Sequence, residues 1–287
     1  ESIFRVQVAQ AGGTAKGQNA TVWAGSALAY VQTSTTLAGI IATDANPANI
    51  TGGATATISA TSSGPQVAVA GTIIYRSGGK TGLGLSANVN NFFRDTHAFI
   101  GADPTVDPQA TPTSTSTLAL GDTTITSTLG GTIVGVSVAG TFSSALAAPS
   151  QNVVNPVDGV NGPNGALPNV ASSTGIAGSG AAFVFVDNTF AYMNLNTAAA
   201  SRVGALSLSA TNDQTIILVS GGVAVGLISG GNQTSSQWSA AFSMNLITSD
   251  TEAFIKGVSL ASAGAVSVTA LHGGALDSFS AALAREA

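Results

Sequence analysis

Apolar and polar residues alternate with a period of two along much of this chain. In 205–210 (ALSLSA), Leu206 and Leu208 fall on one side of an extended strand and Ser207 and Ser209 on the other. Val266 and Val268 do the same in 265–270 (AVSVTA), and in 133–139 (IVGVSVA) Val134, Val136 and Val138 alternate with Gly135, Ser137 and Ala139. Strict alternation in β-branched sequence predicts half-buried strands, and the frequent glycines supply sharp turns between them. Convincing helical periodicity is missing; the best stretch, 278–287 (SFSAALAREA), is short and fits either state. The pattern predicts an all-β chain with a Val, Leu, Ile and Ala interior and a Ser, Thr and Asn exterior.

The strands belong to units that recur. Segments around 21–31, 88–101, 182–194 and 242–257 each contain Ala, then an aromatic, then an aliphatic residue or Met: Ala29-Tyr30-Val31, Ala98-Phe99-Ile100, Ala191-Tyr192-Met193 and Ala253-Phe254-Ile255. A variable stretch and then an alternating β-branched run follow each copy. Such self-similarity predicts a repeat architecture in which each unit buries its apolar face against its neighbours. The intervals between the motif alanines are 98 − 29 = 69, 191 − 98 = 93 and 253 − 191 = 62. The shortest approximates the bare repeat, and the others carry insertions near 102–118 and 148–180, rich in Pro, Gly, Ser, Thr and Asn and therefore loop-like. A repeat of that size reads as about three coils of a parallel β-solenoid, each of roughly 20 residues. At about 4.8 Å per coil this gives on the order of 11–13 coils and a rod about 55–60 Å long. A propeller or sandwich needs hairpin turns, yet Asp158-Gly159, Asn161-Gly162 and Asn164-Gly165 all fall in one insertion.

The copy at 239–274 resembles repeats of very large secreted bacterial surface proteins: filamentous, leukotoxin-like and haemagglutinin-like adhesins and autotransporter passengers. It matches their pattern through Asn245, Thr251, Ala253, Ile255, Gly257, Val266, Val268 and Ala270. The copy at 88–101 matches through Asn88, Thr96, Ala98, Ile100 and Gly101, while the first copy lacks the Asn and the Thr. The resemblance implies a right-handed parallel β-helix, a secreted protein at the bacterial cell surface, and no catalytic residues. On this reading residues 1–287 are a single β-solenoid of about four degenerate repeats, a piece of a longer polypeptide. Its expected role is that of a structural or adhesive stalk or filament segment, with a glycan or protein ligand and end-to-end self-association as partners. The alternative is a β-helix polysaccharide lyase or glycoside hydrolase.

Composition narrows the chemistry. Charged residues are 7% of the chain, against about a quarter in ordinary soluble domains. Eight Lys plus Arg against 13 Asp plus Glu, net −5, leave no basic stripe for nucleic acid. No window reaches the roughly 18 uninterrupted apolar residues of a spanning helix. With no cysteine there is no disulfide or thiolate metal site.

His97 and His272 are the two histidines. His97 follows Asp95 by two positions, and the equivalent place in the other copies holds Leu28, Phe190 and Glu252, the variability of a coil surface. His272 precedes Gly273-Gly274 in an expected turn, with Asp277 nearby. Carbohydrate chemistry needs clustered carboxylates, and Asp250 with Glu252, on one face of a strand, is the close pair available. Gly121-Asp122, or Asp103 with Asp107, offers at most one opportunistic calcium site, since the calcium-roll nonapeptide is missing. The motif aromatics Tyr30, Phe99, Tyr192 and Phe254 read as a stacked core ladder rather than a sugar platform. No catalytic, cofactor or metal residue is expected.

Overall fold

The computed structural model describes residues 5–16, 21–77, 81–146, 172–197, 201–229, 234–262 and 264–286. The described fold is all-β, built from three parallel sheets. A six-stranded sheet runs β1 (Arg5–Lys16), β5 (Gln66–Ser77), β8 (Thr123–Leu146), β12 (Leu206–Ser229) and β15 (Val266–Glu286), with β4 (Ala56–Ser62) also pairing on β8. A four-stranded sheet runs β2 (Thr21–Ile41), β6 (Thr81–Gly101), β9 (Ser172–Asn194) and β13 (Thr234–Lys256). Short strands β3 (Asn49–Thr51), β7 (Thr115–Ala119), β10 (Asn196–Thr197), β11 (Ser201–Arg202) and β14 (Leu260–Ser262) make the third. The chain visits the four-stranded, short and six-stranded sheets in rotation, adding a strand to each, an arrangement consistent with a β-helix.

One circuit is far wider than the sequence spacing implies. Thr21, Thr81, Thr174 and Ser236 lie in register, at intervals of 81 − 21 = 60, 174 − 81 = 93 and 236 − 174 = 62. A repeat is therefore one layer, not three coils of 20 residues. The long strands run 21–24 residues where whole, so a layer is two long walls and one short side. The stacked strands of the six-stranded sheet span four spacings, about 19 Å at about 4.8 Å each, instead of a rod of 55–60 Å. The period-two stretches are strands, but a period of two carries no information about where a strand ends.

The register also moves the first repeat. Ala38, Gly39 and Ile40 pair with Ala98, Phe99 and Ile100, whereas Tyr30 pairs with Asn90. The aromatic position is a glycine here because the Phe99 ring leans over it: a Cβ on Gly39 would sit 2.7 Å from that ring. Tyr30 instead meets Phe92 edge-on, with centroids 6.2 Å apart.

Insertion boundaries shift as well. Residues 102–114 leave the sheets, but 115–119 are β7. Residues 172–180 belong to β9, and the remainder of the expected 148–180 insertion lies outside the described residues.

An apolar cluster with Phe92, Ile133, Phe183, Phe185, Ile216 and Leu218 is buried between the walls, and the expected partition of apolar interior from polar exterior holds in it and near the short sheet. Near the short sheet Ile100, Leu118, Ile125, Met193, Leu206 and Leu208 are buried in one cluster, while Ser207, Ser209 and Thr211 alternate outward. Farther along the walls the pattern inverts. Gly135 and Ser137 point inward and Val134, Val136 and Val138 outward. The walls approach too closely there for valine: a Cβ on Gly135 would collide with the Phe183 ring. Small hydroxyl residues line the interior there, and several of them bond one another. Thr72 Oγ1 donates to Ser26 Oγ at 3.0 Å and Ser86 shares a 2.9 Å bond with Ser137. Asn88 Nδ2 donates to the Ala68 carbonyl at 2.9 Å.

Candidate functional site

Between these two interiors the facing walls enclose the main polar cluster. Arg94 of β6 and Asp187 of β9 occupy inward positions on neighbouring strands, paired in register. Arg94 Nε and Nη2 donate to Asp187 Oδ1 and Oδ2, both at 2.9 Å, a bidentate pair with side chains 5% and 3% exposed. Phe92 and Phe185 stack at 5.1 Å and hold the guanidinium 6.0 Å from each ring. Across the interior, Gln214 of β12 accepts from Arg94 Nη2 and donates from Nε2 to Asp187 Oδ2 at 2.8 Å. Gln214 Nε2 also lies 3.2 Å from Asn212 Oδ1, and Asn212 Nδ2 donates to Ser249 Oγ at 2.7 Å.

The cluster opens into a cavity of about 150 Å³. His272 lines it, with Nδ1 3.5 Å from Ser249 Oγ and 3.4 Å from Thr251 Oγ1. It is not in a turn: it lies within β15, in register with inward Asn212. Asp277 pairs with outward-facing Ile217 instead. The hydroxyls are too far from the imidazole for strong proton transfer, and Asp187 is already engaged by Arg94. This cavity can accept a small polar group; it does not hold an assembled nucleophile and base.

Asp250 and Glu252 both lie on β13, two positions apart, and the titratable groups named from sequence on β6 are kept from them. Asp95, Asn188 and Asp250 share one register position on three successive strands. Asn188 Nδ2 donates to Asp95 Oδ1 at 2.7 Å, so an amide separates the two carboxylates. His97 and Glu252 are likewise separated by Phe190. The first-repeat counterpart of His97 is Leu37, not Leu28. His97 is buried, edge-on to Phe190 at 5.0 Å, and burial lowers its pKa against a smaller opposing pull from Asp95.

Glu252 serves a different purpose. Residues 102–114 form a strap across the edge of the four-stranded sheet, starting where Gly101 adopts φ 131°. A Cβ there would collide with the Asn194 carbonyl. The strap ties down strands of successive layers. Thr113 N donates to Asp44 Oδ1 at 2.6 Å, Asn194 Nδ2 to the Pro108 carbonyl at 2.8 Å, and Gln109 Nε2 to Glu252 Oε2 at 2.7 Å. Lys256 Nζ also donates to the Gln109 carbonyl. Beneath it, Phe99, Tyr192 and Phe254 stack with centroids 5.3 and 5.0 Å apart, and Tyr192 OH donates to the Ala102 carbonyl at 2.7 Å. The ladder is thus covered by the strap and presents no open sugar platform; Tyr30 is not in it. Burial, with Asp103 and Asp107 nearby, pushes the Tyr192 phenol above its ordinary range.

Asp103 Oδ1 accepts from Thr105 N, Asp107 Oδ1 from Gln109 N and Asp122 Oδ1 from Ala205 N, each at 2.8–2.9 Å. Among the described residues no three His, Asp or Glu side chains gather as a metal site, and no helix is long and apolar enough to cross a membrane. Sequence reasoning missed Arg94, Asp187 and Gln214, whose only signal was a charged or amide side chain at an inward strand position. It also missed Arg76, buried with none of its guanidinium nitrogens hydrogen-bonded among the described residues. Comparison with family models, curated proteins and solved structures finds no match to this chain.

Proposed function

We propose that this chain is a segment of a right-handed parallel β-helix that works as a structural or adhesive stalk of a secreted bacterial surface protein. The observation that supports it is the terminal strand β15. Among the described residues only β12 pairs with it, which leaves its other ladder edge open, with Val266, Val268, Leu276 and Leu283 exposed. Such an edge is a template for the next layer, and proteins of this kind gain reach simply by adding layers. The repeat pattern shared with large surface adhesins supports the location and the role.

Electron microscopy of the purified chain tests the stalk: end-to-end rods are expected, shortened by Ser278→Pro, which places a proline in the β15 ladder. A glycan array tests adhesion. Polysaccharide turnover lost in His272→Ala would replace the stalk with a carbohydrate-active enzyme centred on the β12–β15 cavity.

A further inference from the structure

The outer face of the four-stranded sheet is apolar where a solvated sheet would be polar. Across the stretch from Thr21 to Thr33, and its register partners 81–93, 174–186 and 236–248, there is no Asp, Glu, Lys or Arg. Outward-facing Trp23 is 73% exposed and Trp238 68%, with Leu85, Val89, Phe242 and Met244 also open to solvent. The face has relief. Trp23, Leu83, Ile176 and Trp238 stand in one register column. Beside that ridge runs a trough of about 620 Å³ whose floor includes Gly25, Ala27, Ala87, Gly178 and Ala240.

We infer that this face pairs with the same face of a second copy of the chain. The apolar band runs from Trp23 to Val31 on β2 and from Ile176 to Val186 on β9, about 26–33 Å at about 3.3 Å per residue. Counting about 4.8 Å of width for each of its four strands, its footprint is about 19 Å high, so each copy contributes on the order of 500–600 Å². The pair buries about 1,000–1,200 Å², which reaches the lower bound for a specific interface. A two-fold axis along the stacking direction lays each ridge over the other's trough and keeps the layers side by side. The absence of charge removes repulsion between identical faces. Hydrocarbon is the poorer occupant, because edge strands β2 and β13 would carry unpaired backbone groups into lipid, where nothing can satisfy them.

The chain has no cysteine, so single-cysteine variants read the contact directly. In sedimentation the chain should be a dimer. Ala27→Arg with Ala240→Arg should weaken association about 100-fold or more, as charges buried near an interface centre do, with an unchanged circular dichroism spectrum. A short bis-maleimide should cross-link Ala87→Cys between copies and leave Val136→Cys, on the opposite wall, as monomer. A monomeric parent chain, or efficient cross-linking through Val136→Cys alone, overturns the inference. So does association that survives the arginine pair and is lost in Ser278→Pro, which marks end-to-end stacking, a result that leaves the stalk reading intact. Flotation of the chain with phosphatidylcholine vesicles, abolished by the arginine pair in the absence of any dimer, assigns the face to lipid instead.

Discussion

Arg94 and Asp187 form a desolvated pair, and the cost of disrupting it is asymmetric. Removing one partner leaves a buried charge unmatched, whereas an apolar pair of similar volume is often tolerated. Arg94→Met alone should therefore destabilise by about 3–5 kcal/mol, and Arg94→Met with Asp187→Leu by much less, in urea unfolding. Arg76 predicts the opposite sign. Its guanidinium is buried without a hydrogen bond among the described residues, so Arg76→Met should leave the melting temperature unchanged or raise it. A drop of several degrees would show that the charge has a partner after all. His97 supplies a pH dependence. Its folded pKa is lowered by burial while the unfolded value stays near 6.5, so below that pH the unfolded chain takes up a proton that the folded chain refuses. Stability should fall as pH drops from about 6.5 towards the folded pKa, and His97→Phe, copying Phe190 in the next layer, should remove that part of the slope in melts at pH 7.5 and 5.5.

The aromatic ladder and its strap are one unit at the level of elements. Tyr192 is stacked on both sides and bonded to the strap through Ala102, so Tyr192→Ala should cost about 3–5 kcal/mol. Tyr192→Phe, which keeps the stack, should cost about 1 kcal/mol and speed amide exchange in 102–114 before any other segment. This ladder was partly legible: the motif at Ala98, Ala191 and Ala253 aligns in the structure as it does by eye. Ala29 does not, because local similarity cannot see that Phe99 covers a glycine ten residues farther on. The alternation of Val134, Val136 and Val138 was equally visible, but not its direction. Which side of a strand is inside depends on how closely the opposite wall approaches, and that is fixed by Phe183 and Gly135 from distant parts of the chain. The Arg94–Asp187–Gln214 cluster was hidden for the same reason: its members are 93 and 120 positions from Arg94.

For the whole molecule, burial of Arg76 near the end of β5 means that trypsin should not cut there while the fold is intact; cleavage should track global unfolding in urea. Lys80 lies outside the described residues. The strap has a mechanical consequence. Pulled along the stacking direction, parallel strands more than twenty residues long load their ladder bonds together unless one end peels first. Residues 102–114 lace strands β2, β9 and β13 at the end nearest the short sheet, through Asp44 just beyond β2, Asn194 and Glu252. Rupture under tension should therefore start at the unlaced far end and travel towards the lace, and cutting the lace should turn a stepwise tear into an easier one.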